Sequence, residues 1–339
     1  MTATPHRLEP YAQLPDRYSD RQVAASTVDA LGRVVTLLVP PQATCTRRVP
    51  PDQRLRYDAP AVVMDGTDVH EVDLADLDLH FPRIDSLDSG FVLAAARCRM
   101  PSGPPASTFE ALERQIPHNA LLVGHDGARL TTFHAGDNIQ HLITDTNGNI
   151  WIGYGDEAAI CAQPPADHRR TGSSGTKPQP APRMTMPMPG LIRWTSAGEP
   201  AWYAAFDRIG PGSWIDCYAL NVGAGQAWAY PCTGFPLVEI DATGIRWTRR
   251  TPIHFASAVL VDGDNVAFLA ADTGPRKIPG HYTVTLTRSQ NGPLETVASA
   301  SLRLPDGTRP CTWARRTVCR GNQAWLQFHD ERTWYRIEL

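Results

Sequence analysis

The sequence has almost no lysine. Of its 32 basic residues, only Lys177 and Lys277 are not arginine. Such a bias points to a GC-rich bacterial genome rather than to a phosphate-binding role. Nor is there a cationic surplus: 35 acidic residues bring the net charge to −3. That balance gives no electrostatic reason to expect nucleic acid or an anionic membrane as partner. The seven cysteines include no C-x-x-C pair, so the simplest zinc and redox signature is missing. A G-x-S-x-G elbow is absent, which excludes an α/β-hydrolase arrangement. No glycine-rich phosphate loop opens a helix, and nucleotide cofactors have no support. The opening residues MTATPHRLEPYAQL carry no apolar segment of a signal peptide, and no run is long enough to cross a bilayer. The expectation is a cytoplasmic protein with reduced thiols. Hydrophobic residues make up 42% of 339, enough for a sizeable core in one large all-β domain or two ordinary ones.

What is present is a repeat. The stretch DTNGNIWIGY (145–154) reads as strand, tight turn, strand, and its GNIW returns as GQAW (225–228) and NQAW (322–325). Weaker copies are NVAF (265–268), GFVL (90–93) and GRVV (32–35). Each follows a cluster of Gly, Asn or Asp, residues that tolerate the positive φ of tight hairpins. A second set of turns, DGTDV (65–69), HDGAR (125–129), SAGEP (196–200), DATGI (241–245) and SQNGP (289–293), joins two further strands after most hairpins. The flanking segments alternate with period two, as in YTVTLT (282–287) and WYRIEL (334–339), which is strand and not helix periodicity. Tandem four-stranded units without helical interludes are the signature of a β-propeller, here of six blades. We name the strands of a blade A to D from the axis outward. The sixth blade runs out after its C strand, so residues 6–14 (HRLEPYAQL) are expected to supply its D strand and close the ring. The expectation is thus an all-β, single-domain propeller over residues 1–339.

The DTNGNIWIGY hairpin resembles the blades of two-component-regulator propellers and, more loosely, NHL-like repeats. These families are functionally heterogeneous, so the resemblance implies a fold and little function. No Gly-His…Trp-Asp set of the WD40 kind occurs, and the spacing misses the sialidase Asp-box by one residue.

The A–B and C–D turns are short and belong to one face, the bottom. The long insertions, at about 40–58, 97–118 and 155–189, are B–C connections on the top face, where function is expected. Within the second, STFEALERQI (107–116) has a capping-box pattern, Ser107 with Glu110, and predicts a short helix. The third is rich in Pro, Gly and Ser over 164–190 and reads as a flexible flap carrying Met184, Met186 and Met188.

Residues entering strand A from the top rim converge on the axis. Blade by blade they are Asp20 and Arg21; Arg83 and Asp85; Asp137, Asn138 and His141; Trp214, Asp216 and Tyr218; His254 and Ser257; and Arg309, Cys311 and Trp313. Acids, bases and indoles around one opening suit a polar pocket with aromatic walls. The acid–base candidates are Asp216, His254, Asp85 and His141. Arg83, Asp137, Asn138, Trp214, Tyr218, Arg309, Trp313 and Tyr154 are the ligand-binding candidates. YGDE (154–157) adds two carboxylates at the start of the longest loop. The leading function is recognition of a small molecule or peptide. A hydrolase, lyase or cyclase using the same groups is the alternative, and a protein-interaction scaffold the third. No cofactor is expected. The weaker alternatives are Ca2+ on Asp85, Asp137, Asn138 and Asp216, or Zn2+ on Cys45, Cys98, Cys161 and Cys232 with nearby histidines. The Ca2+ scheme is similar to that of lactonase-type propellers, whose axial Glu and Asn motifs have no match here.

Overall fold

The computed structural model describes residues 5–50, 53–98, 116–156, 189–204, 214–271, 279–289 and 292–339. The chain opens with β1 (His6–Arg7) and β2 (Glu9–Gln13). Four-stranded antiparallel runs then recur along it. The first comprises β3 (Gln22–Val28), β4 (Val34–Val39), β5 (Tyr57–Asp65) and β6 (Asp68–Leu77). The second comprises β7 (Pro82–Leu87), β8 (Gly90–Ala95), β9 (Ala120–Gly124) and β10 (Arg129–Phe133). In the third are β11 (Ile139–Thr144), β12 (Ile150–Tyr154), β13 (Leu191–Trp194) and β14 (Pro200–Tyr203). The fourth holds β15 (Asp216–Val222), β16 (Ala227–Cys232), β17 (Leu237–Asp241) and β18 (Gly244–Arg249). The fifth holds β19 (Ala256–Asp262), β20 (Asn265–Ala271), β21 (Tyr282–Arg288) and β22 (Glu295–Arg303). The last three strands, β23 (Arg316–Arg320), β24 (Gln323–Gln327) and β25 (Thr333–Glu338), take β2 as their fourth, with Glu9 opposite Arg336 and Gln13 opposite Thr333. This all-β arrangement is consistent with a β-propeller.

The hairpin turns follow from their residues. Asp145 Oδ1 accepts the backbone N–H groups of Asn147 and Asn149, and Oδ2 accepts Trp151 Nε1–H at 3.0 Å. Gly148 between them sits at φ 78°, where an L side chain is strained. Asp29 repeats the device toward Leu31 and Arg33.

Apolar packing is divided into layers, each between consecutive sheets. Val35 and Leu37 pack with Leu93 between the first and second, and Val92 with Ile152 between the second and third. The last layer joins Trp325 and Trp334 to Val34 and Val62, so the final sheet packs on the first. The first strands touch in cyclic order, β3 to β7, β11, β15, β19 and β23, and β23 returns to β3.

One end of the axis is plugged. Asp85, fully buried, receives Arg320 Nη2 and the Thr144 N–H at 2.7 Å each, with the Ser86 N–H at 2.9 Å. Arg320 also donates to the carbonyls of Val28 and Thr144. Asn221 Nδ2 donates to the carbonyls of Val259 and Gly321, and its Oδ1 accepts the Gly321 N–H. All these residues lie near the A–B turns, so the plug sits at the bottom.

One difference from the sequence reading concerns the N-terminal segment. Residues 6–14 do not form one strand. His6–Arg7 instead adds a parallel fifth strand to β22, and only Glu9–Gln13 pairs with β25. Apart from their edges, the helix over 107–116 and the flap over 164–190 lie outside the described residues.

Candidate functional site

At the top end of the axis, the first strands surround a cavity of about 430 Å³. Its lining includes Arg83, His141, Asp216 and Tyr218 of the expected set, together with Ser257. It also includes Asp156, the first acidic residue of YGDE, and Gln140, Arg315 and Arg316.

Strand irregularities aim several of these groups. Register shifts in β11, β15 and β19 each leave one residue without a cross-strand partner: Gln140, Tyr218 and Ser257. A bulge bends its strand and redirects the extra side chain, and all three line the cavity. Positive φ marks the same rim. Phe81, Asn138 and Phe255, each immediately before a first strand, have φ of 53°, 56° and 58°. Such backbone in an aromatic residue is unusual and clusters at binding sites. Tyr218 packs edge-on against Phe235, with ring centroids 5.1 Å apart, and Phe235 meets Phe255 at 4.7 Å. Phe255 remains 48% exposed, so an aromatic shelf continues from the cavity mouth.

Charge is divided across the cavity. Among the described residues Arg83 on β7 has no hydrogen-bond or ion-pair partner, and its Nε is sealed from solvent. Burial, reinforced by the Arg316 charge, pulls its pKa down to about 10, so it remains a cation at neutral pH. Arg316 donates to Glu331 at 2.7 Å and to Gln327 at 2.8 Å. Arg315 lies 3.9 Å from the same Glu331. Arg315 and Arg316 thus share one carboxylate, and Arg83 has none. On the β11–β15 side stand Asp156 and Asp216, neither in an ion pair among the described residues. Burial, and after it the neighbouring Asp156 charge, pushes the Asp216 carboxyl up to about 6, against an opposing hydrogen bond from the Cys232 N–H. His141 Nε2–H donates to the Cys217 carbonyl at 3.0 Å. Burial first and the Arg83 charge second push its pKa down to about 4. The imidazole is therefore neutral at pH 7 and keeps a lone pair on Nδ1.

The other expected site residues lie elsewhere. Asp85 belongs to the bottom plug, paired with Arg320. Asp137 accepts the Cys98 N–H at 2.8 Å and pairs with Arg97 at 3.5 Å. Asn138 accepts from Gln140 Nε2. Tyr154 is buried and donates to the Ala135 carbonyl, and Trp214 is buried without a partner for its Nε1–H among the described residues. His254 packs edge-on against Phe235, and Trp313 edge-on against Tyr282. Arg309 is exposed beside His281. None of these lines the cavity, and the supposed Asp216–His254 pair is not assembled there. Arg315 and Arg316 were missed because the last inner strand begins at Arg316 and not near Arg309. A clue existed in RRTVCR, where Arg-Arg precedes an apolar alternation. No cluster of three or more His, Cys, Asp or Glu suited to a metal occurs among the described residues.

No family model matches the sequence, and no curated relative matches it. Among solved structures, the chain resembles a subtype N11 neuraminidase-like protein (flat-faced bat, Peru) at 8% identity and a TM-score of 0.48, covering 100% of this chain and 95% of that one. It resembles a catalytically inactive virginiamycin B lyase from Staphylococcus aureus with quinupristin at 11% identity, a TM-score of 0.41 and coverage of 98% and 99%. It resembles the WD40 propeller domain of Doa1 at 12% identity, a TM-score of 0.39 and coverage of 98% and 97%.

Proposed function

We infer that the chain is a six-bladed β-propeller closed by β2, and that it binds a small polar molecule or a peptide end in the axial cavity. The observation that carries this reading is the convergence of Arg83, His141, Asp216 and Tyr218 on one cavity of about 430 Å³ that is plugged beneath. That volume is within the usual range of small-molecule sites, roughly 300–1,000 Å³. Unpaired charge at its wall and an aromatic shelf at its mouth supply orientation and contact area. A thermal-shift screen with a broad metabolite panel tests it. A compound present at 100 times its Kd stabilises the protein by about 2.7 kcal/mol. Ser257→Trp, which fills the cavity, is expected to abolish that shift. Shifts that survive this substitution would place binding elsewhere.

One observation favours a second reading, an enzyme of the hydrolase or lyase kind. A carboxyl pushed up to about 6 and a neutral imidazole share the cavity, as acid–base work at neutral pH requires. In that reading Asp216 and His141 carry the proton transfers, and His141→Gln is expected to remove turnover of the bound compound while leaving its binding measurable.

A further inference from the structure

We propose that the cavity recognises a zwitterion, a molecule carrying both an ammonium and an acid group, such as a free α-amino acid or a short peptide with free ends. The inference rests on the cavity being a ligand site and names what that site takes. The acid group would meet Arg83, and the ammonium would lie between Asp156 and Asp216.

The argument is one of charge and position. Arg83 comes from β7 and Arg315–Arg316 from the start of β23, on either side of β3 in the ring order. Among the described residues, these three cations are met by one carboxylate, Glu331, held by Arg316 and Arg315. Asp156 follows β12 and Asp216 begins β15, the first strand opposite β3 in that order. Neither has a cationic partner among the described residues. Two excess positive charges and two negative ones therefore line the same cavity and do not pair with each other. Arg83 Nε is sealed from solvent without an acceptor, which is costly, and the rest of its guanidinium is left to meet a ligand in the cavity. A monoanion would satisfy Arg83 and leave the carboxylates repelling one another. A simple amine would do the reverse. A molecule with both groups neutralises both walls, and its planar carboxylate matches the fork of a guanidinium. His141, neutral and tethered to Cys217, adds no competing charge.

The test uses the full chain and three sets of probes at equal concentration: the free L-amino acids, a set of dipeptides, and the N-acetyl and C-amide derivatives of both. Thermal shift finds the binders and calorimetry gives their affinities. The expected result is that at least one zwitterion binds, and that acetylating its amine or amidating its acid each weakens it at least tenfold. Arg83→Gln is expected to remove binding of the parent but to leave that of the C-amide unchanged. Asp216→Asn does the same with respect to the N-acetyl form. Comparing the first two sets separates free amino acids from peptide ends. Equal affinity for the blocked and free forms overturns the proposal, and so does failure of every zwitterion. If metabolites outside these sets bind in a manner sensitive to Ser257→Trp, the cavity stands as a ligand site and only the zwitterion assignment falls. If no compound of any kind binds there, both fall.

Discussion

At the residue scale, Asp216 and His141 give the cavity opposite responses to acid. An unperturbed aspartate titrates near 3.9, so a carboxyl at about 6 binds its proton more tightly in the folded chain. Its ionisation therefore costs stability above pH 6, and the cost disappears as pH falls toward 4. His141 has the reverse sign. With a folded pKa of about 4 against about 6.5 unfolded, the stability its neutral form contributes is present above 6.5 and lost as pH falls through 4. Urea midpoints followed from pH 8 to 4 are expected to show Asp216→Asn gaining most over the parent protein above pH 6 and nothing near pH 4. A gain that does not change with pH would mean that burial does not perturb this carboxyl.

At the element scale, the hairpin joining β11 and β12 shows how a short motif sets a local geometry. Asp145 accepts from two backbone N–H groups, the Asn149 amide and the Trp151 indole. The indole is fully buried, so losing its acceptor leaves an unpaired polar group in the apolar layer between sheets. Asp145→Ala is expected to lower stability by about 1–3 kcal/mol in chemical denaturation. Asp145→Asn, which keeps an acceptor oxygen, is expected to cost less. Equal effects of the two substitutions would show that the hydrogen bonds are not what holds this turn. The first strands behave differently. Their bulges sit near their starts, away from the hairpin turns, and turn Gln140, Tyr218 and Ser257 toward the cavity.

At the scale of the whole molecule, β2 binds the beginning of the chain to its end. Leu8 and Leu14 flank it with 1% and 2% of their surface exposed, and Trp334 beneath it is fully buried. Burying each leucine is worth about 1.5–3 kcal/mol. Removing residues 1–14 is therefore expected to cost at least about 3 kcal/mol and to leave β25 as a bare edge open to self-association. Denaturation midpoints and light scattering measure the two effects. A truncated chain with unchanged stability and no association would show that β2 does not hold the last sheet in place. The same packing of first strands on one another positions the cavity. Its floor is the Asp85–Arg320–Asn221 plug, which draws on residues up to 292 positions apart along the chain.

Local chemistry alone accounts for the turns, the strand alternation and the four-strand period, because each depends on residues within a few positions of one another. Gly148 and Asp145 announce their hairpin wherever the chain places it. The same local reading located Arg83, His141 and Asp216, since a polar residue at the start of an inner strand faces the axis. Depth along that axis was not legible. Asp85 shares a strand face with Arg83 but lies two residues, about 6.6 Å, farther along, where Arg320 meets it. Whether a polar side chain enters a salt bridge or remains free for a ligand depends on partners contributed by distant strands. Arg83 and Asp85 are alike in the sequence. Only the packing of the sheets gives one an ion partner and leaves the other facing the cavity without one among the described residues.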